Sequence, residues 1–179
     1  MQKSTNVRKW NLDTAHSNLE FVVRHMMISS VRGRFRKFDG EFNLDLDDIG
    51  KSSVEVTVDA KSIFTNEDSR DDDLRSQKFL AVDSYPVLKF QSTRMQKTGN
   101  KLEVDGNLTI RGVTKKVRVT GELQGPITDP YGKKRVGFDG AATINRKDFG
   151  LTWNMVLEGG GLMVGDNVKI EIHMELTLD

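Results

Sequence analysis

The chain has 179 residues, 36% of them hydrophobic, and its 27 basic residues nearly balance 26 acidic ones. This length predicts one domain, spanning residues 1–179, with one sizeable core. The balanced charge argues against a nucleic-acid-binding protein, because no global field attracts a polyanion. Cysteine is absent, which excludes disulfides, cysteine-based zinc sites and thiol catalysis.

The sequence contains no candidate for a membrane-spanning helix, since no window approaches about 18 consecutive apolar residues. Its first eight residues have neither an apolar run nor a small-residue cleavage site, so they do not resemble a signal peptide. We therefore expect a cytoplasmic protein. A periplasmic or secreted protein is the alternative if a signal peptide has been removed.

The N-terminal third predicts three strands. Residues 19–27 alternate with a period of two, and the apolar side of that strand also carries His25. Residues 31–46 alternate as well but change phase near Gly40, which predicts a β-bulge and a bend. Residues 54–60 form the third alternating segment.

Residues 66–78 break this pattern and predict one inserted helix. Acidic residues crowd its start and basic residues its end, which is the charge order that a helix dipole favours. Asn66 is its expected N-cap. We expect this helix to cover or plug the interior of a β-structure.

The rest of the chain predicts further strands at residues 87–96, 102–110, 117–123, 136–146, 151–157 and 168–178, with a surface loop at residues 125–132. Short strands at hairpin spacing with a single helix indicate an all-β fold: an antiparallel, lipocalin-like barrel of about eight strands. A barrel of this size either packs its interior solid or holds one small ligand. The alternation alone leaves both alternatives open.

Several spaced blocks of residues resemble the YceI-like family of polyisoprenoid-binding, lipocalin-like barrels over nearly the whole chain. The blocks are Trp10-x-Leu12-Asp13-x-x-His16-Ser17-x-x-x-Phe21-x-x-x-His25, Gly33-x-Phe35-x-x-Phe38-x-Gly40, Ser69-Arg70-Asp71-x-x-Leu74, Tyr85-Pro86-x-x-x-Phe90, Gly106-x-Leu108-Thr109-Ile110-Arg111-Gly112-Val113-Thr114-Lys115 and Asn145-Arg146-x-Asp148-Phe149-Gly150. The resemblance implies a long apolar tunnel for an isoprenoid chain, and a homodimer. It favours a ligand-lined interior over a packed one.

The inward side of the predicted strands combines aromatic and aliphatic residues with interleaved glycines, a pattern that suits a narrow apolar cavity. An isoprenoid with a polar head also needs a few hydrogen-bond donors near the tunnel mouth, and arginine binds phosphate best. The predicted polar contacts are His25, Arg70, Arg94 and Arg146, with surface or helix-packing ion pairs as the alternative for the arginines. The predicted apolar contacts are Phe21, Val23, Met27, Phe35, Phe42, Leu74, Phe90, Leu108, Phe138, Ile144, Trp153 and Met155.

No catalytic, metal or cofactor motif is recognisable. His16 and His25 lack the spacing of a metal motif, and we expect His16 to join Asp13 and Ser17 in holding the start of the first strand. The predicted function is therefore non-enzymatic: carriage, storage or sequestration of a polyisoprenoid or similar amphiphilic lipid. The alternative is an enzyme acting on such a lipid, with His25 as acid or base.

Overall fold

A computed structural model describes residues 6–179, and eleven strands of this part of the chain form one antiparallel sheet that closes on itself. The segment before Asn6, where no signal-peptide pattern was found, lies outside the described residues. The strands are β1 (Arg8–Leu12), β2 (Asn18–His25), β3 (Ser29–Phe35), β4 (Phe38–Leu44), β5 (Ser53–Asp59), β6 (Ile63–Phe64), β7 (Val87–Thr98), β8 (Lys101–Ile110), β9 (Val113–Thr128), β10 (Lys134–Asn145) and β11 (Val164–Leu178).

The eleven strands occupy eight positions around the barrel, which we call staves. Three staves each consist of two short strands joined end to end, and the other five are single strands. The first stave is β1 followed by β2, and both strands pair with β11. The second stave consists of β3 and β4, which pair with β2 and β1. The third consists of β5 and β6, which pair with β4 and β3. Strands β7 to β11 complete the circle as single staves. The prediction of a closed eight-stranded antiparallel barrel with one helix is confirmed.

The breaks in the first three staves lie between strands. The phase change predicted as a bulge near Gly40 is a short break between Phe35 and Phe38, where the chain passes from β3 to β4. A 3₁₀ turn at Thr14–His16 separates β1 from β2, and Asp13 caps it by accepting hydrogen bonds from the amides of Ala15 and His16. Each break lets the stave bend around the barrel.

The helix is shorter than predicted: α1 spans Asp68–Arg75 and its N-cap is Glu67, whose side chain accepts a hydrogen bond from the Ser69 amide. The predicted cap, Asn66, instead has a left-handed backbone with φ of 64°. Residues 76–86 continue as turns across the end of the barrel where β6 stops and β7 starts. No helix in residues 6–179 has the length and apolarity to cross a bilayer.

Two other sequence predictions differ from the structure. The predicted surface loop at residues 125–132 is largely exposed, but β9 occupies its first half, because β9 pairs with β10 as far as Thr128. The predicted strand at residues 151–157 is absent apart from one isolated pair, Val156 with Leu162. The neighbouring edges of β10 are already occupied by β9 and β11, so this segment has no edge to join.

Candidate functional site

A cavity of about 270 Å³ lies inside the barrel. Along β8 its wall runs from Leu102 to Ile110, a distance of roughly 26 Å at about 3.3 Å per residue. Within the described chain, its charged lining residues are Glu20, Lys89 and Arg146, and every other lining residue is apolar. Such a wall suits a long apolar ligand.

The two ends of the barrel interior differ. At the end that holds the β9–β10 loop the interior is filled, with Trp10 4% and Val136 2% exposed and neither residue lining the cavity. Farther along, inward-facing residues that line the cavity, such as Phe90 and Ile170, are only half-buried. The interior is therefore packed at one end and lined along its middle.

Phenylalanine rings lie across glycines on the wall. A Cβ at Gly33, Gly106 or Gly140 would stand 2.3, 2.4 or 2.5 Å from the Cζ of Phe21, Phe90 or Phe138, respectively. These distances mean that each ring occupies the space a side chain would otherwise fill. Each glycine therefore leaves space for a phenylalanine ring to lie flat along the wall, and the centre of the barrel stays open.

The other end of the cavity is covered by the helical segment. Leu74 of α1 and Phe79 and Leu80 after it line the cavity. The Phe79 ring packs edge-on against the Trp153 ring, with centroids 5.5 Å apart. The backbone carbonyl of Phe79 accepts a hydrogen bond of 2.8 Å from the Arg111 guanidinium. This confirms the expectation that the helix covers the interior.

Arg146 is the one predicted polar residue on the cavity wall. Its guanidinium is only 3% exposed and donates to four backbone carbonyls, at distances of 2.8, 2.6, 2.9 and 3.3 Å. Burial lowers the pKa of Arg146. Its main contacts are with the backbone, so it acts as a clamp on this end of the barrel. The acceptors are the carbonyls of Gly165, Leu151, Trp153 and Val164.

The other three predicted polar contacts do not line the cavity. Arg70 binds the hydroxyl and carbonyl of Thr65, at 2.8 Å each. Arg94 is exposed and donates to Gln96 at 3.1 Å. His25 ends β2 beyond Val23, the last lining residue of that strand.

Of the twelve predicted apolar contacts, three lie away from the wall. Met27 is 64% exposed because the strand ends at His25 and the next two residues turn with positive φ. Met155 is 55% exposed and Trp153 packs on Phe79, since their segment is not a strand. Contact of the other nine with a ligand stays a prediction. Those nine line the cavity: Phe21, Val23, Phe35, Phe42, Leu74, Phe90, Leu108, Phe138 and Ile144.

The sequence prediction missed two groups of lining residues. The inward aliphatic residues of β5, β9 and β11, such as Val56, Val117 and Ile170, had the right alternation but no aromatic residue to single them out. Phe79 and Leu80 lie in a segment without periodicity. The only signal there was the apolar run at residues 79–82.

Two groups of histidine and carboxylate side chains in residues 6–179 have the proximity of metal ligands, and Glu20 is the one member that lines the cavity. In the group of Asp13, His16 and Glu175, Arg135 already binds both carboxylates at 2.9 and 2.7 Å. The other group comprises Glu20, Glu171 and His173. There Asp139 binds the imidazole at 2.7 Å, and Arg32 and Lys169 pair with Glu171.

The predicted structural role of His16 is confirmed. Its Nδ1 lies 3.0 Å from Asp13, and the hydroxyl of Ser17 accepts a hydrogen bond from the Glu175 amide at 3.0 Å. The Ser17 contact holds the start of β2 against β11, and the His16 contact holds the turn that precedes it. None of the three histidines lines the cavity in the described part of the chain.

Comparison with known proteins gives consistent relatives. A UPF0312 protein of Vibrio cholerae is 40% identical over 175 residues, covering 96% of this chain and 88% of the relative. BcnA of Burkholderia cenocepacia has the same fold, with a TM-score of 0.79 at 24% identity over 92% of this chain and 99% of that one. So does a polyisoprenoid-binding domain of Saccharophagus degradans implicated in plant cell wall breakdown, with a TM-score of 0.68 at 15% identity over 95% of this chain and 98% of that one.

The family model described as the YceI-like domain matches residues 10–176, which include every strand that builds the cavity except the first residues of β1 and the last residues of β11. Together with the Vibrio cholerae relative, this match shows that the chain belongs to the YceI-like family.

Proposed function

We propose that the protein binds a long-chain polyisoprenoid, or a similar amphiphilic lipid, inside the barrel and acts as its carrier, store or sequestering protein. The observation that carries this proposal is the apolar cavity that follows β8 from Leu102 to Ile110 while one end of the barrel stays packed. An acyclic hydrocarbon chain fits a long, narrow, apolar space better than a compact polar metabolite does.

The comparisons support a lipid-binding fold. The Saccharophagus degradans domain with the same fold is described as polyisoprenoid-binding, and the proposal takes its ligand class from that description. The packed end favours entry of the lipid tail from the opposite end, near Arg146. There the buried guanidinium supplies positive charge close to the place where a polar head would stay.

The direct test is to purify the protein, extract it with organic solvent and identify bound lipids by mass spectrometry. We expect a stoichiometric prenyl lipid from the native protein, or uptake of an added prenyl lipid by delipidated protein. A protein that carries no lipid and takes up no prenyl chain would contradict the proposal.

A matched pair of glycine variants on β10 tests whether the lipid occupies the cavity. In Gly140→Ala the new methyl group displaces the Phe138 ring, which lies 2.5 Å from the Cβ position, towards the lumen, so we expect at least tenfold weaker prenyl-lipid binding. Gly137→Ala adds the same methyl group where no atom lies within 4 Å, so binding should be unchanged. Titration of both proteins with a fluorescent prenyl probe makes the comparison, and equal affinities would place the ligand elsewhere.

An enzyme acting on a hydrophobic substrate is the weaker candidate. General acid–base catalysis requires a titratable group within reach of the substrate, and the cavity wall in the described residues offers an arginine with outward-facing Glu20 and Lys89. Loss of turnover in His25→Ala with retained lipid binding would favour the enzyme.

The homodimer and the cytoplasmic location stay predictions, to be tested by light scattering and cell fractionation.

A further inference from the structure

Exposed apolar side chains concentrate at the end of the barrel opposite the packed end. Six of the eleven large apolar side chains that are exposed among the described residues lie on two adjacent loops there. Ile28 is 82% exposed and Val156 is 74% exposed. We call these six residues the apolar rim: Met26, Met27, Ile28, Met155, Val156 and Leu162.

The two loops of the apolar rim form one surface. The amide of Met26 donates to the carbonyl of Met163 at 2.8 Å, and the amide of Met163 donates to the carbonyl of Met155 at 2.9 Å. The Met27 sulfur packs against Gly161. A contiguous exposed apolar patch of this kind on a soluble domain marks an interaction surface.

The apolar rim is continuous with the cavity. Val23 and Val164, which line the cavity, lie next to the first and second loops of the rim, and Val164 pairs with His25 across the strands. Arg146 binds the carbonyl of Val164 and so fixes the base of the second loop to the cavity wall. A partner on the rim is therefore placed at the end of the cavity.

The hairpin that carries the first loop of the rim is positively charged, and the Arg24 guanidinium reaches the rim itself by donating to the Met27 carbonyl at 2.8 Å. Residues 18–35, the β2–β3 hairpin, contain three basic residues and one acid, Glu20, in a chain whose net charge is +1. The second loop, residues 151–163, adds a single acid, Glu158. The basic residues of the hairpin are Arg24, Arg32 and Arg34.

We propose, building on the proposed function, that the apolar rim and its basic hairpin dock the protein on the surface of an anionic lipid bilayer. Exposed apolar side chains enter the headgroup boundary while flanking arginines bind anionic lipids, the pattern of interfacial membrane binding. A symmetric second copy on the same surface would bring two basic hairpins together, which charge repulsion opposes. The docked end is the end through which a lipid enters or leaves the cavity.

The test is sedimentation of the full chain with vesicles that contain no prenyl lipid. We expect binding to vesicles of phosphatidylcholine with about one third phosphatidylglycerol, and weak binding to pure phosphatidylcholine or at high salt. The double variant Ile28→Ser, Val156→Ser should lose at least tenfold in vesicle partitioning. Arg32→Gln should lose roughly fivefold, and only on anionic vesicles.

The matched control is Ile127→Ser, Tyr131→Ser, which removes two apolar side chains, 63% and 89% exposed, at the packed end of the barrel. Its vesicle binding should equal that of the wild type. The docking proposal would be overturned if the wild-type protein does not bind anionic vesicles. It would also be overturned if the two double variants lose vesicle binding to the same extent. Light scattering that shows a dimer dissociated by the rim substitutions while vesicle binding is unchanged would overturn it too.

Prenyl-lipid uptake measured in detergent solution separates this proposal from the proposed function. Uptake without vesicle binding would overturn only the docking surface. Vesicle binding by a protein that takes up no prenyl lipid would support docking and overturn the proposed ligand.

Discussion

Arg146 faces the cavity as the sequence predicts, but its guanidinium binds backbone carbonyls, which the sequence does not predict. Arg146 follows β10 directly and is in phase with Ile144, and this phase correctly predicts that it faces the cavity. The sequence could not predict what it meets, because its four carbonyl partners come from two segments that converge only in the folded chain. A planar guanidinium with several donors fits that arrangement, which a single ammonium group does not.

Replacing Arg146 with lysine should therefore destabilise the protein although the charge is kept. Carbonyls at the end of the barrel would lose their donor, with an expected cost of about 2–4 kcal/mol in the free energy of unfolding. Urea denaturation measures this cost, and limited proteolysis should show faster cleavage within residues 151–163. The neighbouring exposed residue provides the control, since Lys147→Gln should cost less than about 1 kcal/mol. Equal stability of the two variants would contradict the clamp.

Gly121 has a different role from the glycines that seat phenylalanine rings. A Cβ there would lie 2.1 Å from the backbone oxygen of Asp139 and 2.5 Å from the Cα of Gly140, so two strands approach too closely for any side chain. Gly121→Ala should lower the free energy of unfolding by about 1–3 kcal/mol, because backbone atoms must move. Thermal and urea unfolding beside Gly137→Ala, which meets nothing within 4 Å, gives the comparison. Unchanged stability in both variants would show that the strands separate at little cost.

At the scale of elements, a period of two predicted most strands because each stave has one apolar and one polar side. The same period failed at residues 151–157, where alternation was present but no strand edge was available. It also could not distinguish a lined interior from a filled one. That outcome depends on rings such as Phe90 lying flat over a glycine, Gly106, on the neighbouring strand.

One buried carboxylate makes part of the contact between α1 and the barrel. Asp71 is 2% exposed and accepts hydrogen bonds from both the amide and the hydroxyl of Thr65, the residue that follows β6. Arg70 completes the group by donating to the same hydroxyl at 2.8 Å. The helix that covers the cavity is thereby tied to the third stave.

Asp71→Ala should loosen this cover while leaving the barrel intact. The lost hydrogen bonds predict a cost of about 2–3 kcal/mol, and hydrogen exchange should accelerate in residues 66–86 more than in β8 to β11. Asp72→Ala is the control, since that side chain is 81% exposed and pairs with the surface residue Arg75 at 3.2 Å. A uniform loss of protection across the barrel would contradict a local role.

At the scale of the whole molecule, the packed end is held closed by contacts between distant parts of the sequence. Strand β1 pairs with β11 through only two residue pairs, Asn11 with Thr177 and Leu12 with Leu176. Arg135 of β10 reinforces that junction by binding Asp13, Asp129 and Glu175 at 2.9, 2.7 and 2.7 Å. No local pattern predicts this group, because two of its members, Asp13 and Glu175, are 162 positions apart in the sequence.

This junction predicts how stability depends on pH. The Arg135 guanidinium, followed by the amides of Lys133 and Tyr131, holds the pKa of Asp129 below its ordinary value of 3.8. His16, and then Arg135, lower the pKa of Asp13 in the same way. Both carboxylates have a lower pKa in the folded state, so their stabilisation is complete above the unfolded value and is lost as the pH falls through the folded one.

Arg135→Gln should therefore lower the Tm at neutral pH and weaken its dependence on acid. The difference in Tm between wild type and variant should be constant near neutral pH and shrink as the pH falls below 3.8, the ordinary value, where the wild-type carboxylates become protonated. Lys133→Gln is the control in the same loop, because its partner Asp179 is 72% exposed. Calorimetry across this range makes the measurement. A Tm difference that stays constant with pH would mean that Arg135 acts through packing alone, whereas the predicted convergence assigns the closure of this end to its ion pairs.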